Sequence, residues 1–288
     1  MIRTISALLA ILLPLAVVAE DDKDKEKEKI KTFGAYVDSD LCARLMVGPI
    51  VDSRVECSRT TYKDGSNPVL VRADDNFVFA VNKDKLIKEY VGGFVEATGE
   101  PKEKDGTMKL ASVKSIEKAQ LQASAGAREL FDVRLHKSVG DPTYEKIRHE
   151  LAMMPYISEF DFISFSLIDK HVILTGWTVR ITNRSTAQNL VKKVEGVEKI
   201  TNNIEVLPMG SFDMRIRSGA RAALQRMLSR YFWGSGSAIK IIVKNGNIIL
   251  LGTVSTKADS DTANIQCNTV PGAFKVFNLL RVEPAAKK

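Results

Sequence analysis

Cys42, Cys57 and Cys267, together with His136, His149, His171 and the adjacent Asp74 and Asp75, are side chains whose types could do chemistry in this chain. A structural zinc site would need about four such ligands to converge. Here Cys42 and Cys57 stand by themselves early in the sequence, every histidine lies far downstream, and no CxxC pair occurs. A Cys42–Cys57 disulfide is the favoured reading if the chain is exported to an oxidising compartment. Cys267 is left over inside a predicted helix, where a buried inert thiol is the first reading and an intermolecular bridge the second. His149 lies beside Arg148 and Glu150 on the polar side of another predicted helix, with no nucleophile or orienting carboxylate to make it a base. Asp74-Asp75 fits a β-turn between two short strands better than an acid/base pair. No G-x-S-x-G, Walker A, H-E-x-x-H or G-x-G-x-x-G stretch is present, and Gly92-Gly93 precedes a strand rather than a helix. No catalytic residue, cofactor or metal is expected, and the chain reads as non-enzymatic.

One constellation remains, the segment DMRIRSGARAALQRMLSRYFW over 213–233. At 100° per residue Ile216, Ala220, Ala223, Leu224, Met227 and Tyr231 gather into a core-facing stripe. Arg215, Arg226 and Arg230 fall on one side of that stripe, Arg217 and Arg221 on the other, and no carboxylate follows Asp213 within the helix. Phe232 and Trp233 come at its exit. Exposed arginines with aromatic tips suit the headgroup region of an anionic bilayer. A solvated polar face with the aromatics folded back as an end plug is the other reading. The candidate lipid-contacting residues are Arg215, Arg226, Arg230, Phe232 and Trp233.

The charge distribution agrees with a local contact. The net charge of +7 is not spread evenly: residues 208–288 carry 12 basic and 4 acidic side chains, 126–207 carry 11 of each, and 20–125 carry 18 basic and 20 acidic. Basicity belongs to the last module, which argues for a local anionic partner. At the other end, Arg3, an apolar run from Ile5 to Val18 and Val17-Val18-Ala19 have the layout of a secretory signal, 1–19, cleaved after Ala19. That run is short of the ~20 apolar residues of a spanning helix. The first cysteine is Cys42, so no lipid-modified cysteine follows the signal, and a periplasmic location is expected. Residues 20–30 form a charged, disordered leader.

From Lys31 five strand-like runs follow, KTFGAYV, PVLVRA, NFVFAV, GFVEATG and MKLASVKSI. Between the third and fourth, KDKLIKEY can make two turns of helix with Asn82 as its cap. That order is expected of a small OB-type barrel over 31–118. The first connection, 38–67, has little periodicity and holds both cysteines. Phe33, Tyr36, Phe77, Phe79 and Phe94 sit at alternating positions, where core packing accounts for them without base stacking. With a slightly acidic module, no nucleic acid partner is expected. Residues 119–140 read as a linker.

The rest of the chain is a repeat. HVILTGWTVRITNRSTAQNLVKKVEGVEKITNNIEV, from His171, aligns without a gap on NIILLGTVSTKADSDTANIQCNTVPGAFKVFNLLRV, from Asn247. Gly176 matches Gly252, Val194 matches Val270, Gly196 matches Gly272 and Asn202 matches Asn278. Each copy reads as a leading helix (about 142–154, then 213–231), a hairpin turning at Asp169-Lys170 or Asn245-Gly246, a second helix capped by Ser185 or Asp261, and a closing strand. The order is αββαβ, over 141–207 and 208–284, with two helices on one face of a three-stranded sheet. The whole chain is thus expected to be α+β, a small OB-like barrel followed by two αββαβ domains.

The pattern Leu-x-Gly, polar loop, Ala-bearing helix, Val-x-Gly-Val and Asn-x-Leu/Ile-x-Val resembles the BON domain, the second copy departing at Pro271-Gly272-Ala273 where the first has Glu195-Gly196-Val197. VDSDLC with VECSRTTYKDGSNPVLV resembles small exported bacterial OB-like domains. The BON resemblance implies an envelope location and phospholipid binding with no catalytic residues. The expected function is a periplasmic protein that binds anionic phospholipid surfaces through its second BON-like domain and supports envelope integrity or stress tolerance. The alternatives are an adaptor for an envelope protein partner and a small-ligand sensor built on the OB-like module.

Overall fold

The computed structural model describes residues 30–45, 50, 52–122, 133–233 and 237–283. The signal-like segment, the leader up to residue 29 and residues 123–132 of the linker lie outside them. Strand β1 (Lys31–Ser39) leads into α1 (Asp40–Leu45) and α2 (Asp52–Lys63), followed by β2 (Pro68–Arg72), β3 (Val78–Val81), β4 (Phe94–Lys102) and β5 (Thr107–Ile116). These five strands close into a barrel in the order β1-β2-β3-β5-β4. Alternation explains the two cores. Ala35, Val37, Leu70, Phe79, Val95 and Met108 point into the barrel, while Tyr36, Val69, Val71 and Val78 pack outward against Ala43 and Ile50. The five aromatics expected to be core are all packed in one or other cluster.

Two expectations for this region change. The connection after β1 carries two helices, α1 and α2, rather than being irregular, while the disulfide between Cys42 of α1 and Cys57 of α2 is as expected. Asp38 is buried under α2, where it takes Arg54 at 2.9 Å and the Ser58 hydroxyl at 2.5 Å. KDKLIKEY forms two 3-10 turns, Asp84–Leu86 and Lys88–Tyr90, instead of one α-helix. Asn82 does not cap them; its side-chain oxygen accepts from the Leu110 amide at 2.8 Å and so holds β5.

After α3 (Lys118–Gln122) and β6 (His136–Lys137) come α4 (Pro142–Ala152), β7 (Phe162–Ile168), β8 (His171–Thr178), α5 (Ile181–Val191), β9 (Lys199–Asn202) and β10 (Glu205–Val206). The same sequence of elements recurs as α6 (Ser211–Leu228), β11 (Ile239–Lys244), β12 (Asn247–Val254), α7 (Lys257–Asn268), β13 (Lys275–Asn278) and β14 (Arg281–Val282). The recurring residues do backbone work. Asn245 and Gly246 both take positive φ, 51° and 77°, as a tight hairpin requires. Gly176 and Gly252 lie at φ 114° and 107°, and a Cβ there would strike the carbonyl oxygens of Phe162 and Ala238 on the neighbouring strand.

The closing strand is in two pieces. β9 and then β10 run parallel to β8, and β13 and then β14 run parallel to β12. At the break Asn202 Nδ2 donates to Arg184 O at 3.0 Å and its Oδ1 accepts from the Ile204 amide at 3.1 Å. Asn278 makes the same bonds to Ser260 O and Leu280 N, at 2.9 and 3.3 Å. The second helices start earlier than expected: Arg180 and Thr256 are the N-caps, so neither Ser185 nor Asp261 is one, and Thr256 accepts from the Asp259 amide.

The barrel and the two repeats share a further core. Leu41 of α1, Trp177 of β8, and Ile242, Ile249 and Leu251 of the second sheet pack together, so the sheet faces away from the helices are covered by the other modules.

Candidate functional site

Helix α6 runs eighteen residues without a proline, and its one glycine, Gly219, sits where a Cβ would crowd Val270 of the loop after α7. It is fastened at its start by its own acid. Asp213 is buried, accepting from the amides of Asn245 and Gly246 at 3.0 and 2.9 Å, so the only carboxylate of the helix serves the β11–β12 hairpin and leaves the outer face. Ile216, Ala220, Ala223, Leu224 and Leu228 face the core, with Tyr231 of the terminal 3-10 turn, Ser229–Phe232.

The buried stripe is rotated from the expected one. It includes Leu228 and the guanidinium of Arg217, eleven residues apart and therefore on one line of the helix, and it excludes Met227, which is 60% exposed. Arg217 is turned inward because backbone carbonyls satisfy it there: Nη1 donates to Pro208 O at 3.0 Å and Nη2 to Val243 O at 2.8 Å. Burial pushes its pKa down from the usual arginine value.

The expectation of five arginines without acidic partners is corrected. Arg221 pairs with Glu159 of the preceding domain at 2.6 Å, and Arg230 pairs with Asp259 at 2.5 Å while lying over the Tyr231 ring. The sequence hid both partners, since each lies on another element. Arg215 and Arg226 remain exposed, and among the described residues neither has a hydrogen bond or an ion pair. They too are eleven residues apart, so they form one row along the outer face. Trp233 is 78% exposed, whereas Phe232 is half-buried against the core. The candidate residues therefore divide: Arg215, Arg226 and Trp233 are exposed, the two arginines without a partner among the described residues, while Arg230 and Phe232 are engaged by the domain itself.

Exposed apolar groups that the helical wheel missed flank this row. Met214 and Met227 lie beside it. At the N-terminal end Phe212 and Phe274 pack ring to ring, 5.7 Å apart, with Phe274 74% exposed. Phe274 follows the Pro-Gly-Ala departure of the second repeat, which was the available signal. Along the first repeat, α4 carries Glu145–Arg148 and Lys146–Glu195 ion pairs and no comparable row.

Elsewhere the residues with chemical potential are occupied structurally. His171 is buried and bonded to the Thr201 hydroxyl at 2.8 Å, His149 is exposed, and Asp75 holds Arg72 through both carboxylate oxygens. Cys267 is buried, which pushes its thiol up to about 12. Among the described residues no group of three or more His, Cys, Asp or Glu side chains is arranged to hold a metal, and no helix is long and apolar enough to cross a membrane.

A family model described as BON domain matches residues 142–208 and again 216–284. The chain is 26% identical over 137 residues to the 21 kDa hemolysin of Actinobacillus pleuropneumoniae, an alignment covering 47% of this chain and 70% of that protein. Among solved structures it is similar to CdsD, a structural protein of the type III secretion system of Chlamydia trachomatis, with 12% identity and a TM-score of 0.21 over 49% of this chain and 92% of that one. A C-terminal domain structure of CdsD matches with 11% identity and a TM-score of 0.20, covering 51% and 100%.

Proposed function

This chain carries two BON domains in tandem, and on that premise we propose that it is an exported, non-enzymatic envelope protein whose second BON domain rests on anionic phospholipid surfaces. One observation carries the reading. The outer face of α6 presents Arg215 and Arg226, which have no acidic partner among the described residues, between exposed Met214, Met227 and Trp233, while Asp213 is withdrawn into the hairpin. A helix of this kind lies in the plane of the interface, with cations at the phosphates and apolar tips below them. Each arginine near an anionic surface contributes about 1 kcal/mol. Arg230 and Phe232 complete the contact at the C-terminal end, Arg230 more weakly because Asp259 already answers its charge.

Export follows from the signal-like segment, with cleavage after Ala19 and a periplasmic location. The N-terminal module is an OB-type barrel in this reading, supported by the strand order β1-β2-β3-β5-β4. BON domains are linked to phospholipid binding and to envelope or osmotic-stress roles, which favours a part in envelope integrity.

Sedimentation with phosphatidylglycerol and phosphatidylcholine vesicles tests the lipid contact. The parent should bind only the anionic vesicles, and binding should fall steeply between ~0.1 and ~1 M salt as the Debye length shortens from ~10 to ~3 Å. The Arg215→Gln/Arg226→Gln double variant should lose binding with unchanged melting. If it binds like the parent, α6 is not the lipid site. The exposed Phe212–Phe274 pair then makes an adaptor for an envelope protein the better reading.

A further inference from the structure

The barrel and the first BON domain meet along a seam that is only partly closed. Thr201 Oγ1 donates to Asp75 O at 2.9 Å, Asn203 Nδ2 to Asn76 O at 2.8 Å, and the Val78 amide to Asn203 Oδ1 at 3.0 Å. Beside these bonds a cleft of about 470 Å3 runs between the β4–β5 hairpin and the α5–β9 side of the domain. That volume is within the range of small-ligand sites, roughly 300–1,000 Å3. Arg184, Lys104 and Lys199 line it together with the apolar side chains of Phe77, Ile181 and Ile200.

The charges of the cleft do not balance one another. Its acids Asp75 and Glu103 are both committed to Arg72, at 2.7 and 2.8 Å. Other buried arginines of the barrel have carboxylates too, Arg54 with Asp38 and Arg44 with Asp40 and Glu205. Arg184 differs. It donates only to backbone carbonyls, to Lys104 O at 3.0 Å and Asn202 O at 3.4 Å, and among the described residues no carboxylate pairs with it. Lys199 likewise bonds a carbonyl, Asp74 O at 3.2 Å. Burial lowers the Arg184 pKa, and the nearby Arg44 charge lowers it further against the pull of Asp105. A half-desolvated guanidinium with spare donors and, among the described residues, no carboxylate in ion-pair contact gains most from an incoming anion.

We infer that this cleft binds a small anion, a carboxylate or phosphate joined to a short apolar group, with Arg184 as the anchor, Lys104 and Lys199 as supporting cations, and Ile181, Phe77 and Ile200 receiving the apolar part. The site is built by two modules, so its occupant is read jointly by the barrel and the first BON domain. It is separate from the α6 face and does not depend on lipid binding there.

Isothermal titration of the full chain at low salt, with inorganic phosphate and butyl phosphate as probes, tests the inference. Both should show saturable one-site binding, butyl phosphate about tenfold tighter because its chain meets the apolar wall. Arg184→Gln should weaken both by about tenfold or more through loss of the charge-assisted bonds. An unchanged melting temperature in this variant certifies that the seam holds without the Arg184–Lys104 O bond. The Arg215→Gln/Arg226→Gln variant should bind the probes like the parent, which separates this site from the α6 reading. Soluble dibutanoyl phosphatidylglycerol distinguishes the sources: tighter binding than butyl phosphate identifies a lipid headgroup, equal or weaker binding a free anion. Absence of saturable heat with both phosphate probes, or undiminished binding by a folded Arg184→Gln variant, overturns the inference.

Discussion

Lys244 Nζ donates to Asp40 Oδ2 at 2.7 Å, joining strand β11 of the second BON domain to the first helix of the barrel, 204 residues earlier. Glu205 of the first BON domain takes the same ammonium at 2.8 Å, and Arg44 closes the circuit with Asp40 at 2.9 Å and Glu205 at 3.1 Å. Two cations and two anions from three modules thus meet where little water reaches them. Removing one charge leaves the others without balance, at a cost of about 3–5 kcal/mol for a buried pair. Lys244→Met should therefore lower the stability measured by urea unfolding by several kcal/mol. It should also separate the transition of the second BON domain from that of the rest. A single unshifted transition would show that the circuit does not hold the modules together.

The same circuit sets an acid limit. Burial works to raise the Asp40 carboxyl, but the Arg44 and Lys244 cations beside it reverse this and hold it below the usual carboxylate range. A carboxyl depressed in the folded state contributes stability above its unfolded value, ~3.9, and loses it as pH falls through the folded value. Stability attributable to Asp40 should be level from pH 7 to 5 and decline only below about pH 4. In Asp40→Asn that acid decline should be shallower, as read from denaturant midpoints across the series.

The three cysteines should behave differently. Peptide mapping without reductant should recover Cys42 joined to Cys57, and reduction should cost about 2–4 kcal/mol for a loop of this length. Cys267, with its thiol near 12, should resist iodoacetamide at pH 8 until the chain is unfolded. Rapid native alkylation of Cys267 would contradict its burial.

The repeat was legible because its recurring residues act on the backbone. Gly176 and Gly252 admit the neighbouring strand, and Asn202 and Asn278 tie a broken strand to a helix, so both leave marks at fixed spacing. The barrel strands were legible by alternation. Helix α2 was not, because its buried residues are Arg54 and Ser58, which make no apolar stripe. The rotation of α6 was hidden for a similar reason: Arg217 faces inward on carbonyls that sequence cannot locate. The partners of Arg221 and Arg230, and the cleft around Arg184, depend on packing between distant segments and have no local signature.

The division within α6 gives the last prediction. Arg226 and Arg230 sit one turn apart near the helix end, yet among the described residues only Arg230 of the two is held, by Asp259 and across the Tyr231 ring. Asp259 also accepts the Tyr231 and Thr256 hydroxyls at 2.7 Å each, so Arg230 belongs to the contacts that start α7. Arg226→Gln should weaken phosphatidylglycerol binding about fivefold, the equivalent of ~1 kcal/mol for one interfacial charge, without changing the melting temperature. Arg230→Gln should weaken binding less and lower the melting temperature, since its charge is already answered and its removal disturbs the α6–α7 contact. Trp233 supplies the optical readout once Trp177, which is fully buried, is replaced by Phe. Its emission should shift to the blue on parent binding, and Arg226→Gln should need about fivefold more lipid to produce that shift. Equal losses of affinity for the two variants would mean that the Asp259 pair opens at the membrane and that all three arginines act as one row.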